Sequence, residues 1–172
     1  MTPITTLRPI TDNDDAFLYH LYASTREEEL AVLDWTPQQK EAFLVMQFRA
    51  QHTFYKQEFA GSSFDIIELA GQPIGRLYVD RRPDEIRIID IALLADCRGQ
   101  GIGSRYLAAM QDEGRARGLP IRIHVESNNP AMSLYRRMGF RKIESNGVYW
   151  LMEWQPGDGG RAVVSPDTSA GS

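Results

Sequence analysis

The chain has 172 residues, 42% of them hydrophobic and 24% charged, with a formal net charge of −4. That length suits one domain with its own core, and the acidic balance speaks against a protein that coats nucleic acid. A single cysteine, Cys97, excludes an internal disulfide, and the three histidines are scattered without zinc-ligand spacing, so no metal site is expected.

The N-terminus has no basic region leading into an apolar run, and no stretch of roughly 18 apolar residues occurs anywhere. The expectation is a cytoplasmic protein without signal peptide or membrane span. In chain order, "ITTLRPI" alternates loosely and reads as a first strand. Asp12 is placed to cap a helix over about 13–24, and "STREEELAVLD" then reads as a polar connection. Thr36-Pro37-Gln38-Gln39 is a capping box with proline at the first helical position, opening a helix over 37–57. Phe43, Met46, Ala50 and Phe54 follow in it at helical spacing, with Val45 and Arg49 between them.

"FDIIELA" and "PIGRLYVD" flank a hairpin turn at Gly71-Gln72, and Pro83-Asp84 is a second turn. "EIRIIDIALL" is the strongest strand. A helix over 101–117 follows, stopped by Gly118 and Pro120. "IRIHVE" is a short strand, "NPAMSLYRRMGF" a helix with Gly139 as its terminator, and "RKIES" and "VYWLMEW" close a hairpin around Asn146-Gly147. This order describes a mixed α/β sheet in a single domain over 1–154, with a parallel crossover from 85–94 through the helix to 120–126. The Gly-, Ser- and Pro-rich stretch 155–172 is expected to be a disordered tail.

The stretch "DCRGQGIGS", residues 96–104, carries glycines at 99, 101 and 103 between a strand and a helix start. Free N–H groups, the helix dipole and missing side chains there suit a phosphate. The P-loop pattern needs a lysine that is absent. The dinucleotide pattern needs different glycine spacing and an acid about 20 residues on, where Ile123 and His124 stand. What remains is R-x-x-G-x-G, formed by Arg98, Gly101 and Gly103.

With that pattern in "IALLADCRGQGIGSRYL" and with "HVESNNPAMSLYRRMGF" one helix and one strand later, the chain resembles the GCN5-related N-acetyltransferase (GNAT) family. The second motif matches at Val125, Asn129, Ala131, Leu134, Tyr135, Gly139 and Phe140. The resemblance implies a mixed sheet splayed between its fourth and fifth strands, with acetyl-CoA in the split. It implies that the backbone of Gly99, Gln100, Gly101, Ile102, Gly103 and Ser104 meets the pyrophosphate, with Arg98 as an added cation or simply a solvated arginine. Backbone groups of Ile91, Ala92 and Leu93 would hold the pantetheine and the thioester carbonyl, where a fixed N–H stabilises an oxyanion.

By the same resemblance Tyr135 is the acid that protonates the departing thiolate, the alternative being a core tyrosine. Asn129 would reach the pantetheine or adenine side, or cap the helix before Pro130, with Asn128 as substitute if the register slips. Asp90, His124 and Glu126 compete as general base, with water as a fourth choice. Cys97 reads as a bystander. Glu27-Glu28-Glu29 reads as a solvated face or as the border of the acceptor site, and Trp35, Phe54, Tyr55, Tyr78 and Tyr149 as core or cleft lining. The expected activity is transfer of an acetyl group to a primary amine of a small molecule or peptide. An acyl-CoA-binding module without turnover is the alternative, and a homodimer is compatible with the family.

Overall fold

The computed structural model describes residues 2–157, so 158–172, most of the expected tail, lie outside the described residues. The elements are β1 (Thr6–Pro9), α1 (Asp15–Ala31), α2 (Pro37–Glu58), β2 (Ser63–Leu69), β3 (Gln72–Arg81), β4 (Ile86–Leu93), α3 (Ile102–Arg117), β5 (Ile121–Glu126), α4 (Met132–Arg137), β6 (Arg141–Ser145) and β7 (Tyr149–Trp154). Seven strands form one sheet in the order β1-β2-β3-β4-β5-β7-β6. The β4–β5 pair is parallel, as the crossover requires, while β5–β7, β6–β7 and β1–β2 are antiparallel. Among the described residues no helix is long and apolar enough to cross a membrane.

The described residues divide into two compact units, one of 2–78 with 91–100 and one of 79–90 with 101–157. In the first, Leu18 and Tyr22 of α1, Phe48 of α2 and Ile66 of β2 make a core, with Leu44 packed against it. In the second, Ile121, Ile123 and Val125 of β5 are buried at every second position, together with Leu107 and Met110 of α3 and Met152 and Trp154 of β7. Gly114 lets α3 close on this core: an added Cβ would stand 2.9 Å from Trp154 Cζ3 and 2.8 Å from the Leu119 carbonyl.

Four boundaries differ from the expected ones, each for a local reason. Thr11, not Asp12, caps the first helical turn; it forms a capping box with Asp14, and α1 starts at Asp15. That helix does not stop at 24. Ser24 and Thr25 return their hydroxyls to the carbonyls of Leu21 and Tyr22, both at 2.7 Å, and Leu30 is buried at its far end. The β2–β3 turn sits at Ala70-Gly71, both with positive φ (52° and 80°), the pair a tight hairpin needs. Finally, α4 is shorter than 129–140. Asn129 Oδ1 accepts from the Ala131 N–H at 2.8 Å, holding the chain in a turn before the helix begins.

The Thr36–Gln39 capping box and Pro37 are in place, so α2 starts where expected. The helically spaced residues within it turn outward, however: Met46 and Phe54 are more than half exposed, while Phe48 is the residue it buries.

Candidate active site

In the second unit, β4 and β5 pair over three residues each, Ile86–Ile88 with Ile121–Ile123, and part beyond them. Asp90 follows Ile86 and Ile88 at strand period on one face of β4, a half-buried acid in line with two buried isoleucines. Tyr135 of α4 is 4% exposed and lies edge-on to Phe140, centroids 5.8 Å apart. Burial, and secondly the negative charge of Asp90, push its hydroxyl well above the usual tyrosine range. The structure therefore brings Tyr135 and Asp90 together and keeps the phenol protonated at any ordinary pH.

His124 and Glu126 alternate with the buried Ile123 and Val125, so they point the other way from the core of β5. On that side His124 Nδ1 lies 3.2 Å from Arg87 Nη1, which fits a neutral ring accepting from the guanidinium. Loss of solvent, then the Arg87 charge, hold His124 below its ordinary pKa. Its neighbours form an ion network. The buried Glu85 carboxylate accepts from Arg122 Nη1 and Arg87 Nε, both at 2.7 Å, and Arg122 also reaches Glu153. Burial would raise the Glu85 pKa, but the two arginines more than offset it.

Still in this unit, Gly101 precedes α3 in left-handed backbone, φ 86°. No side chain caps this helix, and its first backbone bond runs from Arg105 N to the Gly101 carbonyl at 3.0 Å. The N–H groups of Ile102, Gly103 and Ser104 are left as the open donors of the first turn. Gly103 has ordinary helical φ, and an added Cβ would make only ordinary contact with Leu134 Cδ2 at 3.7 Å. Nothing in the fold of this unit asks for glycine at that position. Asn128 is exposed, and the Asn129 amide keeps its NH₂ after its oxygen is taken by Ala131.

In the first unit, Ile91, Ala92 and Leu93 end β4, half-buried, and a helical turn at Ala95–Cys97 follows. Arg98 is exposed, and its Nε donates to the Leu93 carbonyl at 3.0 Å. Gln100 Nε2 donates to the Asp96 carbonyl at 3.0 Å, and Gly99 takes φ 73°. The Leu94 N–H pairs with the Ile74 carbonyl of β3 at 2.8 Å. Cys97 is a half-buried free thiol.

The sequence profile of the Acetyltransferase (GNAT) family matches residues 16–140. The chain belongs to that family. No curated protein matches it by sequence. Solved structures share its fold. The PaiA N-acetyltransferase of Thermoplasma acidophilum, determined in complex with coenzyme A, superposes with a TM-score of 0.67 at 15% identity, covering 88% of this chain and 99% of that one. An acetyltransferase of Thermus thermophilus gives 0.62 at 18%, over 90% and 99% of the two chains. The ribosomal-protein-S18-alanine N-acetyltransferase of Escherichia coli gives 0.60 at 17%, over 94% and 99%.

The sheet of this GNAT member carries a positioning residue that the motifs do not reveal. Gly75 of β3 backs directly onto the end of β4. A Cβ there would collide with the Ala92 carbonyl oxygen and stand 2.8 Å from Leu93 Cδ2 and 3.2 Å from Leu93 Cα. Only a bare backbone at 75 lets Ala92 and Leu93 sit where they do. A glycine inside a ten-residue strand was the one available signal.

Of the five aromatics named above, Tyr78 is core, packed edge-on by Phe64 and Tyr55. Trp35, Phe54 and Tyr149 are exposed. Glu27, Glu28 and Glu29 lie exposed along α1, with Glu29 bonded to Arg26 at 2.9 Å. Among the described residues no group of three or more His, Cys, Asp or Glu side chains is gathered to hold a metal ion.

Proposed function

We propose that the chain is an acyl-CoA-dependent N-acetyltransferase, with residues 1–154 as its catalytic domain and a primary amine as acceptor. The observation that carries this reading is the open first turn of α3. Three uncapped N–H groups and a side-chain-free Gly103 stand at a helix start whose dipole favours an anion. A glycine there, in a position the fold would let alanine fill, makes sense if a ligand needs the space. The donor set fits a pyrophosphate, and the family match supports CoA as its bearer.

In this reading the backbone of Gly99–Ser104 binds the pyrophosphate, with Arg98 spending its Nε on the Leu93 carbonyl and leaving its outer nitrogens for phosphate oxygens. The Leu93 N–H polarises the thioester carbonyl and bears the oxyanion that forms on it. The amine lone pair attacks that carbon, the C–S bond breaks, and the sulfur leaves as thiolate. Tyr135, held protonated by burial and by Asp90, gives the sulfur its proton. Asp90 takes the proton that the amine loses, directly or through water. His124 is committed to Arg87 and the ion network, so among the candidate bases Asp90 is favoured, with Glu126 and His124 secondary.

The test has two stages. Calorimetry should show acetyl-CoA binding far more tightly than ATP or NAD; tighter binding of either nucleotide overturns the reading. A panel of amines should then release CoA thiol. Tyr135→Phe should lower kcat by roughly 10- to 100-fold with little change in KM, the range of a lost general acid. Asp90→Asn should lower kcat, while His124→Gln leaves it within about twofold. Binding without turnover on any amine leaves a CoA-binding module instead. Because Tyr135 stays protonated, its ionisation should produce no alkaline fall in kcat up to about pH 10, the ordinary tyrosine pKa.

A further inference from the structure

We infer that Gln111 is a positioning residue for the reaction: it ties α4, which carries Tyr135, to α3, the helix whose open first turn would hold the pyrophosphate. The inference rests on the acid role given to Tyr135 above.

The helix α4 has six residues, Met132–Arg137, fewer than two turns. A helix that short does not repay its own nucleation in water, so its neighbours must hold it. At its start, the Asn129 turn ties it only to the chain just before it. Tyr135 lies edge-on to Phe140, and the Phe140 N–H returns to the Tyr135 carbonyl at 3.0 Å. These contacts are local in sequence. They shape the segment without fixing where it stands against α3.

The long-range tie is at the other end. Gln111 of α3 is 6% exposed, and its Nε2 donates to the Met138 carbonyl, 27 residues away, at 2.7 Å. A backbone carbonyl only accepts, so the amide must present its NH₂ there. The Met138 N–H in turn donates to the Leu134 carbonyl at 3.0 Å, so Gln111 grips the turn that holds Tyr135. A buried amide is costly unless it is bonded. Leu107 and Met110 are buried on the same helix, and packing alone would be served by an apolar residue at 111 as well. What the amide adds is direction: apolar contact tolerates sliding, whereas a hydrogen bond has a preferred length and angle.

The consequence is geometric. Gln111 lies nine residues beyond Ile102, about 13 Å along α3. A thioester donor pinned by its phosphates at the start of α3 has its sulfur placed relative to that helix. The acid stands on a separate short helix and must come within hydrogen-bond reach of the sulfur. The Gln111–Met138 bond sets that separation, and a shift of about 1 Å can cost as much as 100-fold in rate.

The test is a double-mutant cycle with Tyr135 on the full chain, read as CoA thiol released from acetyl-CoA and an accepted amine. Gln111→Met keeps the length and removes the donor. It should lower kcat by about tenfold and leave KM for acetyl-CoA within about twofold, with the circular dichroism of a folded chain. Added to Tyr135→Phe, it should change kcat by less than about twofold, because the acid it positions is already gone. A merely structural role would instead lower kcat equally in both backgrounds, and that result overturns the inference. Gln111→Asn draws the amide back by one carbon, about 1.5 Å, and serves in the same cycle if Gln111→Met does not fold. If Tyr135→Phe is slow and the Gln111 variant keeps the original kcat, the inference alone falls. If Tyr135→Phe itself keeps the original rate, the acid role falls and the inference with it.

Discussion

The helices α2 and α3 begin in opposite ways. At α2, Thr36 accepts from the Gln39 N–H at 3.1 Å and Gln39 returns its carbonyl oxygen to the Thr36 N–H at 2.8 Å, with Pro37 at a position that needs no donor. The N–H groups of Thr36, Gln39 and Lys40 are answered by the chain itself. At α3 a left-handed glycine leads in, no side chain caps the first turn, and Gly103 follows inside it. A helix start closed by its own side chains serves stability. One left open, with a glycine inside its first turn, has its donors to spend elsewhere.

That contrast can be broken or sharpened by experiment. The largest effect is expected at Gly103→Val. A branched side chain on the first turn of α3 should cut acetyl-CoA affinity by roughly 100-fold or more while the circular dichroism stays native, since the fold offers room for a Cβ. Affinity within about threefold of the original, by calorimetry, would remove the reason for calling this end open. Thr36→Ala should do the reverse: about 1 kcal/mol of stability lost, roughly 2–4 °C in Tm by scanning calorimetry, with acetyl-CoA affinity unchanged. Gly103→Ala should gain roughly 0.5 kcal/mol in the same scan while still weakening acetyl-CoA binding, so that stability and affinity move in opposite directions.

The smallest effect at neutral pH concerns the other capped start. The box before α1 uses a carboxylate where α2 uses an amide. Asp14 is held down to about 2 from 3.8, first by its hydrogen bonds from Arg8, both 2.8 Å. A depressed carboxylate contributes stability that is present above its unfolded pKa and disappears as pH falls through the folded one. Stability should therefore drop between about pH 4 and pH 2 through Asp14, and Arg8→Met should flatten that drop in a pH series of Tm values. The α2 cap, with neutral Gln39, should show no such dependence.

Much of this was readable from the chain because the signals were local. The Thr36–Gln39 box, the glycine stop after α3 (Gly118, φ 69°) and the Asn146-Gly147 hairpin, where Asn146 Oδ1 takes two backbone N–H groups, each depend on residues within one turn. The strand, glycine loop and helix run, paired with "NPAMSLY" downstream, carried the family. What stayed hidden depends on tertiary packing. Ser24, Thr25 and three glutamates look like a linker, yet Leu21, Tyr22 and Leu30 around them are buried and hold the helix together. On α2 the spacing showed a helix but not which face the core would choose, because apolar residues occur on both. Asp90, His124 and Glu126 were equal in sequence; strand alternation and the Arg87 contact separate them. Gly75 had no motif at all, since its neighbour Ala92 is brought beside it only by the sheet.

Cys97 takes no part in the proposed chemistry, and that has a practical side. It is the one thiol in the chain, half-buried in the short turn that leads into Arg98 and the glycines. A thiol-reactive dye would attach at a single known place, one residue before the loop, and could report loop occupancy by fluorescence. The same thiol would add its own signal to any colorimetric assay of released CoA. A Cys97→Ser background is therefore the cleaner starting point for rate measurements, and the unaltered chain the better one for optical titration.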